Sequence, residues 1–93
     1  MHLLSPKEIK EQISLIDSWQ MDLGLLCKEL HFKSFRNAIS FINKIATISE
    51  ENNHHPVITN NYLLVTIKLT TNDFGGLTQR DFHLAKLIDQ ISL

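Results

Sequence analysis

Residues 62–70, Tyr-Leu-Leu-Val-Thr-Ile-Lys-Leu-Thr, alternate between two kinds of side chain along their whole length. One set is entirely aliphatic and consists of Leu63, Val65, Ile67 and Leu69. A period of two is typical of a β-strand with one face buried in a core and the other face more polar. This segment therefore predicts a strand against which the rest of the chain packs.

The segments before this strand predict two hairpins. Before the central strand, residues 57–59 predict a short strand, and Asn60-Asn61 predicts the turn, because asparagine tolerates positive φ. Further upstream, residues 19–21 and 26–32 predict two more strands, and Asp22-Leu23-Gly24 between them supplies turn-forming residues. Hairpins connect antiparallel strands, so we expect one antiparallel sheet of four strands.

The first of three predicted helices has a strong start signal. Ser5 suits the N-cap, Pro6 suits the first helical position and Glu8 suits the capping-box position. Isoleucines then recur at helical spacing, which predicts a helix from about Pro6 to Asp17.

The other two helices have broad apolar faces. A helix from Phe35 to Glu51 is capped by Ser34, and its apolar positions are Phe35, Ile39, Ile42, Ile45, Ala46 and Ile48. Gly75-Gly76 turns the chain into a last helix that opens at Thr78 and buries Leu84, Leu87, Ile88 and Ile91. The predicted fold is α+β, with three helices on one face of the sheet in the order α-β-β-α-β-β-α.

Length and composition narrow the functional classes. The 93 residues predict a single domain, residues 1–93, with a core thin enough that a homo-oligomer, either dimer or tetramer, is expected. A net charge of −1 gives no electrostatic footprint for nucleic acid. No apolar run approaches the ~18 residues of a membrane span, and no signal peptide precedes the first helix, so a cytoplasmic location is expected. Cys27, the only cysteine, is expected to be a buried packing residue.

The chemistry centres on His54-His55 before Pro56. Histidine titrates near neutrality, so two adjacent imidazoles offer two acid–base groups at one place. Neighbouring side chains point to opposite sides of a strand, so both can face one pocket only where the chain bends, as it must before Pro56. The spacing does not match a metal site, and the simpler alternative for an isolated histidine pair in a loop is that both side chains are merely exposed to solvent.

Several separated motifs together resemble the pterin-4a-carbinolamine dehydratase family. The resemblance extends over roughly residues 19–92 and includes an early Trp19 and the segment Glu29-Leu30-His31-Phe32-Lys33-Ser34-Phe35. Its most specific parts are Glu50-x3-His54-His55-Pro56, Tyr62, Leu69-Thr70-Thr71 and Gly75-Gly76-Leu77-Thr78-x2-Asp81.

The resemblance implies an activity and a site. The family removes water from 4a-hydroxytetrahydropterin to give quinonoid dihydropterin, without a metal or organic cofactor. It implies that His54 and His55 are two of three pocket histidines and that Glu50 and Asp81 are the flanking acidic residues. It also implies that Pro56 contacts the substrate and that the pterin ring lies against Thr70 and Thr71. Self-association and a protein partner are further implications.

The chain departs from the family pattern at one important position. The third histidine of the family follows the Thr-Thr pair, where this chain has Asn72. Asparagine can donate and accept hydrogen bonds but cannot exchange a proton near pH 7. By its position Asn72 is the third candidate catalytic residue, with His54 and His55, but without the proton-transfer group of a histidine. The alternative to a dehydratase is a weak or inactive pterin-binding or protein-interaction module of the same fold.

Overall fold

The four strands form one antiparallel sheet in the computed structural model, which describes residues 1–93. The strands are β1 (Gln20–Asp22), β2 (Leu25–His31), β3 (Val57–Asn61) and β4 (Leu64–Leu69). Their order across the sheet is β1-β2-β4-β3, so the predicted central strand lies inside the sheet and β1 and β3 are its edges.

Three α-helices accompany the sheet. They are α1 (Pro6–Ile13), α2 (Phe35–Asn52) and α3 (Gln79–Asp89), and a short 3₁₀ helix at Asn72–Phe74 follows β4. The order of elements confirms the predicted α-β-β-α-β-β-α arrangement. None of the helices combines the length and the apolar composition that crossing a membrane requires.

The core lies between the sheet and the helices. Val65, Ile67 and Leu69 of β4 are completely buried, which confirms the face assigned to them from their alternation. Phe41 and Ile45 of α2 pack with them in one hydrophobic cluster. Burial of this apolar surface is the main source of stability for such a fold.

The first helix is shorter than predicted. It ends at Ile13 rather than Asp17, because the following residues are drawn toward α3. The backbone N–H of Asp17 donates to Oδ2 of Asp89 at 3.2 Å, and the indole N–H of Trp19 donates to Oδ1 of the same residue at 2.9 Å.

The second hairpin turns later than predicted. The prediction of a turn at Asn60-Asn61 was wrong: both residues belong to β3, and Asn61 pairs with Leu64. The two-residue loop is Tyr62-Leu63, and Tyr62 adopts a φ of 52°. This register places Ile58 opposite Ile67, and the Asn60 side chain donates to two carbonyl oxygens of the hairpin.

The apolar face of α2 is also narrower than predicted. Its fully buried positions include Ala38, Phe41 and Ile45. Phe35, expected in the core, is 49% exposed and its ring stacks on that of Tyr62, with the centroids 6.4 Å apart. The N-terminal turn of α2 therefore extends past the core and reaches the β3–β4 loop.

Candidate active site

The histidine pair lies where α2 ends and the chain reverses. Asn53 adopts a left-handed conformation, with φ 49° and ψ 44°, and its N–H bonds to carbonyl oxygens of the last helical turn. The N–H of His54 donates to the carbonyl oxygen of Ser49 at 3.1 Å. This bend brings His54 and His55 to the same side of the molecule before β3 begins.

A second wall forms where β4 ends. Thr71 pairs with Gly76 in an isolated antiparallel bridge, so the intervening residues form a tight loop that contains the short 3₁₀ helix. Gly75 closes that loop with a φ of 73°, a conformation that non-glycine residues rarely adopt. The chain then enters α3 at Thr78, as the Gly-Gly-Leu-Thr segment predicted.

The two walls enclose a cavity of about 300 Å³. No apolar side chain lines it, and its lining residues are Asn53, His54, His55, Thr70, Thr71, Asn72, Asp73 and Arg80. A cavity with two imidazoles and many hydrogen-bonding groups can bind a polar ring and transfer protons to it.

A larger groove lies elsewhere, between α2 and the end of α3. It measures about 410 Å³, and no histidine or carboxylate residue lines it. Of these two pockets, only the smaller, polar cavity has histidine and carboxylate side chains in its lining.

His54 is the buried member of the pair. Only 10% of its side chain is exposed, and its Nε2 lies 2.7 Å from Oδ1 of Asp81. A carboxylate only accepts hydrogen bonds, so Nε2 carries the proton in this contact. The other ring nitrogen, Nδ1, makes no hydrogen bond within the protein and keeps access to solvent. His54 therefore presents Nδ1 as its free nitrogen.

His55 occupies a much wetter environment. Its side chain is 57% exposed, and its Nε2 lies 3.3 Å from Oε2 of Glu50, which is itself 78% exposed. Such an exposed pair contributes little to stability. The two adjacent histidines thus have separate carboxylate partners and unlike surroundings.

Asp81 is completely buried beneath the cavity. Besides the contact with His54, its Oδ2 accepts hydrogen bonds from the Thr71 hydroxyl at 2.8 Å and from the Thr78 N–H at 2.9 Å. The last bond is half of a capping box that starts α3. All contacts of this carboxylate are with the protein, so it acts on the cavity through His54.

The sequence-predicted residues divide into three groups in space. Five of them line the cavity: His54, His55, Thr70, Thr71 and Asn72. Asp81 lies beneath these and Glu50 beside His55, whereas Pro56, half-buried, does not line the cavity.

Three lining residues, Asn53, Asp73 and Arg80, were missed as site residues from the sequence. Arg80 follows the α3 cap, and its Nη2 donates to the carbonyl oxygen of Asn53 at 3.3 Å, which links the two walls. Asp73 lies in the short 3₁₀ helix. The signal available for Arg80 was its place in the first turn of a helix that opens at the site. No group of three or more histidine, cysteine, aspartate or glutamate side chains is arranged to hold a metal ion.

Comparison with known proteins supplies the family. The model of a family described as pterin 4 alpha carbinolamine dehydratase matches residues 2–91. The chain belongs to this family. A Prochlorococcus marinus relative is 46% identical over 89 residues, which cover 96% of this chain and 93% of the relative. A Sulfurisphaera tokodaii relative is 37% identical over 91 residues, which cover 98% of each chain. Both carry the name pterin-4-alpha-carbinolamine dehydratase provisionally.

Solved structures of pterin dehydratase relatives share the fold. A transcriptional coactivator/pterin dehydratase from Brucella melitensis superposes with a TM-score of 0.90 at 28% identity, covering 94% of this chain and 95% of that one. A pterin dehydratase-like protein, identified as a RuBisCO assembly factor in the alpha-carboxysome, superposes with a TM-score of 0.62 at 26% identity, covering 76% of this chain and 82% of that one. Proteins with this fold thus include a transcriptional coactivator/pterin dehydratase and a RuBisCO assembly factor.

Proposed function

We propose that the protein dehydrates a 4a-hydroxytetrahydropterin to the quinonoid dihydropterin, which recycles the tetrahydropterin cofactor. In this reaction the C4a–O bond breaks, the N5–H bond breaks, a C4a=N5 double bond forms and one water leaves. One proton must reach the departing hydroxyl, and one must be taken from N5. The observation that carries the proposal is that two unlike histidines face one polar cavity.

His54 is suited to accept the N5 proton. Asp81 holds the Nε2–H, so the free Nδ1 is a proton acceptor when the ring is neutral. The same carboxylate stabilises the imidazolium that forms when Nδ1 takes a proton. His54 therefore acts as the general base in the proposed reaction.

His55 is suited to deliver the other proton. Its ring is exposed to solvent, and its Nε2 lies 3.3 Å from Oε2 of Glu50. After the hydroxyl leaves as water, His55 regains a proton from solvent while His54 loses one. The cycle is then balanced, with no net proton consumed.

The remaining lining residues bind the pterin in this proposal. Thr70 and Asn72 flank the end of β4 and offer hydroxyl and amide groups to the polar edge of the ring. Glu50 lies beside His55, and Pro56 follows it directly in the chain, so we propose that both act at the edge of the site. We also propose that the protein is cytoplasmic and forms a homo-oligomer, as expected from the sequence.

Asn72 favours a second candidate function, that of a pterin-binding or protein-interaction module with little or no catalysis. It lies on the cavity wall where the family pattern has a histidine, and it cannot transfer protons. This candidate is supported by one structural relative, a pterin dehydratase-like protein that is identified as a RuBisCO assembly factor in the alpha-carboxysome.

A single assay separates the two candidates. Freshly generated 4a-hydroxytetrahydrobiopterin is mixed with the protein, and loss of the carbinolamine is followed by ultraviolet absorbance against the spontaneous rate. We expect acceleration with the wild type and none with a His54→Ala/His55→Ala double variant. Pterin binding without acceleration would support the second candidate, and absence of both binding and acceleration would refute both.

A further inference from the structure

Two threonine hydroxyls form a buried chain beneath the cavity. The Oγ1 atoms of Thr71 and Thr78 are 2.8 Å apart, and Thr71 is 2% exposed while Thr78 is fully buried. The Thr71 hydroxyl also lies 2.8 Å from Oδ2 of Asp81. The end of β4, the start of α3 and the histidine bend are therefore joined by one continuous set of hydrogen bonds.

The direction of each hydrogen in this chain is determined by its ends. The Asp81 carboxylate can only accept, so the single hydroxyl hydrogen of Thr71 points to Asp81. Thr71 Oγ1 must then accept from the hydroxyl of Thr78. Thr78 Oγ1 in turn accepts from the backbone N–H of Arg80 at 3.3 Å. Every donor in the chain therefore points toward Asp81.

The direction of these hydrogen bonds affects which ring nitrogen of His54 carries the hydrogen. The bonds from Thr71 and from the Thr78 N–H occupy Oδ2 and fix the carboxylate plane, which leaves Oδ1 facing Nε2 of His54. A carboxylate that rotates would weaken the contact with Nε2 and allow the imidazole to exchange tautomers. The tautomer with hydrogen on Nδ1 could not accept a proton from a ligand in the cavity.

We propose that Thr71 and Thr78 are positioning residues, which hold Asp81 so that His54 keeps its hydrogen on Nε2 and its acceptor, Nδ1, in the cavity. The catalytic consequence rests on the proposed dehydratase function, whereas the tautomer of His54 does not. Thr71 therefore contributes to the site from beneath, through its buried hydroxyl, as well as from the cavity wall.

The Thr78 hydroxyl also caps α3, so a variant of Thr78 would combine two effects. Thr71→Val is cleaner, because it removes the hydroxyl with little change in shape and leaves the capping box intact. Thr71→Ser is its matched control, since serine restores the hydroxyl. A role in packing alone would be disturbed more by serine, which lacks the methyl group, than by valine.

The first measurement is the nitrogen-15 NMR spectrum of the histidine rings without any ligand. In the wild type we expect the Nε2–H tautomer for neutral His54, and in Thr71→Val a mixture of the two tautomers, with Thr71→Ser like the wild type. A wild-type His54 with hydrogen on Nδ1 would overturn the proposal even if Thr71→Val did not fold. An unchanged tautomer in folded Thr71→Val would overturn it as well.

The second measurement is steady-state dehydration by the same proteins. We expect Thr71→Val to lower kcat about tenfold, the lower end of the effect of a positioned acid–base group, with KM changed less than about twofold. Thr71→Ser should recover most of the wild-type kcat. Equal kcat in folded Thr71→Val and wild type would refute the positioning role. Absence of turnover in the wild type would refute the dehydratase function and leave the NMR result to decide the tautomer.

Discussion

Nε2 of His54 lies 2.7 Å from Oδ1 of Asp81, although 27 positions separate the two residues in the chain. The contact joins the loop after α2 to the first turn of α3, so the cavity depends on the packing of two distant helix ends. It also makes the two neighbouring histidines chemically different, because His55 has only an exposed carboxylate, Glu50, as its partner.

Asp81→Asn should destabilise the fold as well as the site. The amide has one acceptor and one donor side, so it cannot accept from His54, Thr71 and the Thr78 N–H together. Leaving a buried donor without a partner costs about 1–3 kcal/mol of unfolding free energy. Urea denaturation measures this loss, and Glu51→Gln, at an exposed position, should change stability by less than about 0.5 kcal/mol. Equal midpoints for Asp81→Asn and wild type would contradict the buried network.

Replacing either histidine with alanine should lower the activity, but only one of the two replacements should lower the stability. His54→Ala and His55→Ala should each slow dehydration by roughly 10- to 10⁴-fold, the range for a positioned acid–base group. Only His54→Ala should also lower the unfolding free energy, because its ring is buried against Asp81 whereas His55 is exposed. Stopped-flow rates and urea midpoints test both statements. His83→Ala, exposed and outside the cavity, is the control, and wild-type rates in both site variants would refute the site.

The first helix should loosen in acid. A hydrogen bond from the backbone N–H of Ser5, helped by His2, lowers the pKa of Glu8 below its ordinary value of 4.5. Because the folded pKa is lowered, the stabilisation is complete above the unfolded pKa and is lost as pH falls through the folded value. Carbon-13 shifts of α1 should therefore lose helical character in acid, with a midpoint below pH 4.5.

Two variants test this assignment to Glu8. Glu8→Gln should remove the pH dependence of the α1 shifts, whereas Glu11→Gln, on the same exposed helix, should preserve it. The assignment is wrong if Glu8→Gln still titrates like the wild type.

The strands and helix starts could be predicted from the sequence because their signals are local. Alternation identified the buried side chains of β4, and the capping residues Ser5, Ser34 and Thr78 all cap the helices predicted from them. The histidine bend was predictable for the same reason, since Pro56 forces extended geometry on the residue before it.

The features that were predicted wrongly depend on residues that are distant in the chain. The turn at Tyr62-Leu63 follows from the pairing of Ile58 with Ile67, which outweighs the local preference of asparagine for turns. Helix α1 ends early because Trp19 bonds to Asp89 on α3. The buried position of Asp81 likewise needed the three-dimensional arrangement, because a capping box alone is equally compatible with an exposed helix start.

A homo-oligomer is expected in solution. Both edge strands expose apolar side chains: Met21 of β1 is 39% exposed and Val57 of β3 is 60% exposed. An unpaired edge with apolar residues is usually covered in a stable protein, and a 93-residue core gains stability from assembly. Sedimentation velocity at micromolar concentration should give a dimer or tetramer, and a monomer at that concentration would count against this expectation.

Asn72→His should dehydrate the carbinolamine faster than the wild-type protein does. Asn72 is exposed, begins the short 3₁₀ helix after β4 and lines the cavity with both histidines. An imidazole there would add a group that exchanges protons near neutral pH, which asparagine cannot do. We expect kcat to rise about tenfold or more, the lower part of the range for one acid–base group, because its surroundings are not adapted to it. Pterin affinity should change less, since asparagine already offers hydrogen bonds.

Asp73→His is the matched control for that gain. It adds the same imidazole one residue further along the 3₁₀ helix, at another residue that lines the cavity. If the position limits the reaction, Asn72→His should accelerate dehydration and Asp73→His should not. Equal gains in both would mean that any added imidazole near the cavity suffices. An Asn72→His protein that binds pterin but shows no gain over a measurable wild-type rate would show that proton transfer at this position does not limit the enzyme.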